Sequence, residues 1–157
     1  MMDAVRNGDT KNLELLLEQG SDPNFEDRWG TALGNASVKG RRDIYELLLY
    51  WGADPNLKDQ FGSTALRDAA IYAHIDIIRL LLDRGVDPNI RTDNGSTALM
   101  GAIDGRPGDT DIVRLLLDRG ANPNLKDRYG KTPLMLTSTY GYFDEVDVNG
   151  DGVDDKL

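Results

Sequence analysis

The sequence predicts an all-α repeat fold, a stack of units each made of a turn, a short helix and a longer helix. Three observations carry this expectation. A Leu triplet recurs at 15–17, 47–49, 80–82 and 115–117. A Gly follows each triplet at the same offset, at 20, 52, 85 and 120, and a Pro-Asn pair comes next, at 23–24, 55–56, 88–89 and 123–124. The glycines are spaced by 32, 33 and 35 residues, which is the period of a solenoid module.

Each marker has a mechanical reason. The stretch DIVRLLLDRG (111–120) is apolar on more than one helical face, so its helix is expected to be buried on both sides. The Gly supplies a left-handed residue that stops the helix, and the Pro three positions on prevents its resumption. Six residues after each Asn stands a second Gly, at 30, 62, 95 and 130, so the segment between them reads as a turn. Thr31, Thr64, Thr97 and Thr132 then open the shorter helix, each with a hydroxyl able to cap free backbone N–H groups. One unit has too few apolar side chains to order itself alone, so neighbouring units must share a core.

The segments TPLM (132–135), TALRDAA (64–70), DIVRLLLDRGANPN (111–124) and DRYG (127–130) closely resemble the ankyrin repeat. The resemblance covers residues 1 to about 146. It implies antiparallel helix pairs stacked in an L-shape, with β-turn or hairpin fingers along one edge. The expected organisation is one repeat domain over 1–146, with repeats at about 1–26, 27–58, 59–91, 92–126 and 127–146, the first and last partial, followed by an acidic tail, 147–157. Ala32, Ala65 and Ala98 stand where the family usually has Pro, a change that keeps the helix start. Two additional residues in GRPGDTD (105–111) read as an exposed insertion. Asn7, Lys11, Asn12, Glu14 and Glu18 look like the polar outer side of a terminal cap.

Composition narrows the function. The 157 residues suit one domain. With 18 Lys plus Arg against 27 Asp plus Glu, the net charge of −9 argues against unaided binding to nucleic acid or an anionic membrane. The absence of Cys excludes disulfides, a thiolate nucleophile and a sulfur-based zinc site. No apolar run approaches a membrane span, and the start MMDAVRNGDTKN lacks a signal peptide's apolar stretch, so a cytoplasmic monomer is expected. The single His, His74, falls in the turn between the helices of repeat three, where the resemblance implies structural hydrogen bonds. Asp43, Asp76, Asp111 and Asp144 recur at helix starts, and Asp54 and Asp87 in turns. Carboxylates that recur with the fold are poor evidence for acid–base chemistry, and the chain is expected not to be an enzyme.

The family resemblance implies binding of another protein through finger tips and the exposed side of the first helices. At the finger position before each Gly stand Trp29, Phe61, Asn94 and Tyr129, with Arg28, Gln60, Asp93 and Arg128 beside them. Variable positions along the first helices are Val38 and Lys39, Ile71 and Tyr72, Asp104 and Gly105, and Thr139 and Tyr140, with Met100 and Met135 one turn earlier bordering the same groove. The expected partner-binding set is Arg28, Trp29, Gln60, Phe61, Tyr72, Met100, Arg128, Tyr129, Met135 and Tyr140. Aromatics with Arg are the residue types that dominate binding hot spots. The alternative is that each finger aromatic packs on the next finger and stiffens the edge. A mixed-charge protein partner with an apolar hot spot is expected, and the chain would act as adaptor or inhibitor.

The acidity is concentrated at the end. Residues 141–157 hold six acids and one base, a charge of −5, while the other 140 carry 21 acids and 17 bases, a charge of −4. Within DVNGDGVDD (147–155), Asp147, Asn149 and Asp151 alternate before Gly152, and Asp155 follows. Oxygen ligands at positions 1, 3 and 5 with Gly at 6 resemble a Ca²⁺ loop. The loop lacks the bidentate carboxylate at its twelfth position, since Leu157 is the eleventh. Two readings stand open: a solvated acidic tail, or a Ca²⁺ site held by Asp147, Asn149, Asp151 and Asp155; secretion is expected if that site holds and the chain is a fragment.

Overall fold

The computed structural model describes residues 1–106 and 110–140, the side chains of 139 and 140 apart. It contains α1 (Met2–Asn7), α2 (Thr10–Glu18), β1 (Glu26–Asp27), β2 (Gly30–Thr31), α3 (Ala32–Lys39), α4 (Arg42–Tyr50), α5 (Ala65–Ile71), α6 (Ile75–Asp83), α7 (Ala98–Gly105), α8 (Thr110–Asp118) and α9 (Pro133–Tyr140). The short helices form one layer in the order α1, α3, α5, α7, α9, each packed on the next. The longer helices back them as a second layer, with α2 on α4 and α4 on α6, and α1, α3, α5 and α7 each also pack against the longer helix that follows. The architecture is an all-α solenoid with, among the described residues, one two-stranded hairpin finger. Among the described residues, no helix is long and apolar enough to cross a membrane.

The recurring residues do what their chemistry predicts. Thr31 Oγ1 accepts from Gly34 N at 3.0 Å, and Thr64, Thr97 and Thr132 accept from Arg67, Met100 and Met135 N at 3.4 Å each. Gly20, Gly52, Gly85 and Gly120 take left-handed φ values between 78° and 89°. Asp43, Asp76 and Asp111 stand in the first turns of α4, α6 and α8, facing the positive end of the helix dipole. The five polar residues expected to cap the first unit are all exposed. The insertion expected at 105–111 falls partly on 107–109, outside the described residues; Gly105, Arg106 and Asp111 beside it are exposed.

A shared core runs through the stack. Leu13 and Leu17 of α2, Ile44, Tyr45 and Leu48 of α4, Leu66 of α5, Ile77, Ile78 and Leu81 of α6, Leu99 of α7 and Leu116 of α8 are fully or almost fully buried in one cluster. The Leu triplets are not buried uniformly. Leu15, in the first unit, is exposed, whereas Leu115, in the fourth, is buried. A terminal helix has a neighbour on one side only, so part of its apolar surface stays open.

The Pro-Asn pairs tie unit to unit, a role the spacing alone did not suggest. The residue before each Pro turns the chain: Asp22, Asp54, Asp87 and Asn122 each accept, through Oδ1, the backbone N–H two residues on at 2.8–2.9 Å. The Asn side chain then reaches the next unit. Asn24 Oδ1 accepts from Asp54 N at 2.7 Å and Asn89 Oδ1 from Asn122 N at 2.6 Å, while Asn89 Nδ2 donates to Gly120 O.

His74 confirms its structural assignment. It stands immediately before α6, and its Nε2 donates to Val38 O at 3.1 Å across two units. Preceding it, Ala73 adopts φ 59°, the one left-handed non-glycine among the described residues. An L-residue there carries about 1–2 kcal/mol of strain, of which Gly's greater unfolded-state freedom takes back about half. Ala73→Gly is therefore expected to stabilise the fold by about 0.5–1 kcal/mol, read as a rise in thermal midpoint; a fall would show that the Ala73 methyl is needed for packing.

Candidate functional site

The finger tips are built by one device used three times. Asp27, Asp59 and Asp127 begin the segments DRWG, DQFG and DRYG. Each carboxylate folds back over its own turn: Oδ1 accepts from Trp29 N at 2.8 Å, Phe61 N at 2.9 Å and Tyr129 N at 2.8 Å. Asp59 and Asp127 also accept from Ser63 N and Lys131 N. In the first of these fingers the turn closes β1 and β2 into a hairpin, pairing Glu26 with Thr31 and Asp27 with Gly30. The aromatic is thus held by its backbone and projects outward. Trp29 is 65%, Phe61 66% and Tyr129 75% exposed. They do not pack under the next finger; instead, Arg28 and Arg128 lie over the rings of Trp29 and Tyr129 at 5.4 and 5.9 Å.

Adjacent fingers are tied through other atoms. Gln60 N donates to Glu26 Oε1 at 2.6 Å and Gln60 Nε2 to Asp27 O at 3.3 Å, so Gln60 joins the Trp29 finger to the Phe61 finger. Lys58 Nζ approaches Asp93 Oδ1 at 3.7 Å. Arg128 N donates to Asn94 O at 2.8 Å. The next finger's acid also fills the space a side chain would need at Gly62, where φ is 72° and a Cβ would stand 2.2 Å from Asp93 Cγ. The edge is a series of braced turns.

Along the groove the expected positions divide. Tyr72, just past α5, is 47% exposed, and Met135 on α9 is 52% exposed. Met100 does not border the groove: it is 1% exposed and belongs to the core. The reason is position in the stack, because α7 is packed between α5 and α9, whereas among the described helices α9 packs mainly on α7. Gly105 serves packing against α5, its Cα facing the backbone of Ile71. Tyr140 closes α9, but its side chain, like that of Thr139, lies outside the described residues, as do Asp147, Asn149, Asp151 and Asp155.

The family model described as ankyrin repeats (3 copies) matches residues 1–92, 39–127 and 85–148. The chain belongs to the ankyrin repeat family. No curated protein matches this ankyrin sequence significantly. Ankyrin repeats generally mediate protein–protein interaction and are typically non-catalytic.

One groove residue of this ankyrin protein has an environment that its sequence position does not reveal. Asp68, on α5 beneath the fingers, is half-buried and accepts from Ser63 Oγ at 2.6 Å. Gly34 of α3 leaves room for it, since a Cβ there would lie 3.3 Å from Asp68 Oδ2. Burial pushes this carboxyl up to about 6; the Ser63 hydroxyl and Arg67 pull it down, and Asp59 pushes it further up. The folded state therefore keeps the proton where an unfolded Asp, at 3.8, has lost it. Stability from this group is greatest below about pH 4, falls as pH rises toward 6 and is flat beyond. The full shift would be worth about 3 kcal/mol, reduced by solvent screening to about 1. Asp68→Asn is expected to raise stability at pH 7 by about that amount and to flatten the thermal midpoint between pH 4 and 6. An unchanged pH profile would refute the assignment.

Proposed function

We propose that the chain is a non-catalytic adaptor or inhibitor that holds a partner protein along its finger edge, with the groove beside Tyr72 and Met135 as the adjoining surface. The observation that supports this most is the row of exposed aromatics on pinned turns. A solvent-exposed Trp, Phe and Tyr are costly to keep in water and gain most when a partner covers them. Because Asp27, Asp59 and Asp127 already fix the backbone beneath them, little ordering entropy remains to be lost on binding. The neighbouring Arg28 and Arg128 supply a polar rim, while a net charge of −9 favours a protein over a nucleic acid.

The test is a partner recovered from the native source by affinity capture and identified by mass spectrometry, then titrated against purified chain. Trp29→Ala combined with Phe61→Ala is expected to weaken the complex at least about 30-fold, since hot-spot losses of 2 kcal/mol or more are typical. The thermal midpoint should stay near that of the parent because both rings are mostly exposed. Unchanged affinity would remove the finger edge from the binding site.

A further inference from the structure

The aromatic row is interrupted at the finger Thr92–Gly95, where the equivalent residue is Asn94. Its side chain turns back into its own finger: Oδ1 accepts from the Thr92 hydroxyl and, at 3.3 Å, from Ser96 N. Where a ring would project there is a depression of about 400 Å³, whose lining includes Lys58, Arg91, Asp93, Asn94, Gly95 and Arg128. Three cations meet one acid in a chain whose net charge is −9.

Among the described residues, Arg91 and Arg128 have no carboxylate partner, and Lys58 has only a loose one. Arg91 is anchored by Nε to Gly95 O at 3.3 Å and by Nη2 to Lys126 O at 2.6 Å; both acceptors are carbonyls and carry no net charge. Lys58 reaches Asp93 only at 3.7 Å, with their side chains 44% and 67% exposed, and such a pair contributes little. Arg128 over Tyr129 keeps its full charge, because a ring quadrupole attracts a cation without cancelling it.

We infer that this notch is a carboxylate subsite, which takes an Asp or Glu side chain from an extended segment of the partner protein. The segment's flanking apolar residues would lie on Phe61 and Tyr129. The inference rests on the reading of the finger edge as the binding surface. Charge complementarity selects the occupant. An apolar side chain would desolvate Arg91 and Lys58 without compensation, and a cationic one would be repelled, whereas a carboxylate gains charge-assisted hydrogen bonds.

The test selects random peptides displayed on phage against the full chain and measures the winners by fluorescence anisotropy. Winners are expected to share an Asp or Glu beside an aromatic or aliphatic residue. They should bind about tenfold or more weakly to Lys58→Glu/Arg128→Glu, and selection on that variant should return Lys or Arg at the same place. Lys58→Gln/Arg128→Gln is the milder variant, and thermal unfolding checks both. Winners without an acid, winners indifferent to the variants, or no winner at all would overturn the notch. If acid-free winners still depend on Trp29 and Phe61, the finger edge survives as the binding surface; winners indifferent to those rings as well sink both readings. A synthetic peptide of residues 141–157 that competes equally well, with the same dependence on Lys58 and Arg128, would assign the notch to the chain's own acidic end and overturn the partner claim.

Discussion

Leu81→Ala is expected to lower the unfolding free energy by about 3–5 kcal/mol, the upper range for a buried Leu truncation. Leu81 is 0% exposed on α6, which packs against both α5 and α4. Its loss leaves a cavity in the middle of the stack, and no unit can make up the deficit from its own apolar side chains. Since a domain of this size has about 5–15 kcal/mol in total, the variant will sit near its unfolding threshold. Leu16→Ala, at a half-buried site in the first unit, is expected to cost only about 1 kcal/mol by the smaller area it withdraws from water. Urea unfolding followed by circular dichroism separates the two. Equal losses would mean that the units are stabilised independently and that the shared core is not what holds the stack.

The second large effect is at Gly105. A Cβ there would lie 2.1 Å from Ile71 O and 2.6 Å from Ile71 C and Cα. These are backbone atoms, so the end of α7 must move away from α5 to admit even a methyl. Gly105→Ala is expected to destabilise by about 2–3 kcal/mol, as overpacking does where neighbours cannot yield. Gly101 lies four residues earlier on the same face of α7. There a Cβ would meet Arg67 Cγ at 3.1 Å, Ile71 Cγ1 at 3.2 Å and Arg67 O at 3.3 Å. The helix-propensity gain of Ala, about 1 kcal/mol, offsets that milder crowding, so Gly101→Ala should be near neutral. The contrast within one helix is the measurement: similar thermal midpoints for the two variants would contradict the close approach of α5 and α7 at Ile71.

The fold was legible because its determinants are local and repeated. A Thr that caps, a Gly that stops a helix and an Asp that opens one act within four residues of themselves, so spacing alone exposes them. The finger aromatics could be located for the same reason. What sequence could not show depends on neighbours in space. Met100 and Met135 are the same letter at the same place in the motif, yet one is buried and the other open, because burial is decided by which helices flank α7 and α9. The inward turn of Asn94, and the cationic depression it leaves, requires knowing that Lys58, Arg91 and Arg128 come from three successive fingers. At Asp68, nothing in the sequence shows the burial against α3 that pushes its carboxyl up to about 6.

The ties between units bear on how the chain reaches this structure. Asn24 to Asp54, Asn89 to Asn122, His74 to Val38 and Arg91 to Lys126 all join residues 30–36 apart. Each is satisfied once two consecutive modules exist, without the remote ends having to find each other. Closing short loops is entropically cheap and fast. Assembly can therefore begin at any adjacent pair and spread outward, and it can proceed on the ribosome, module by module, while the rest of the polypeptide is still being made.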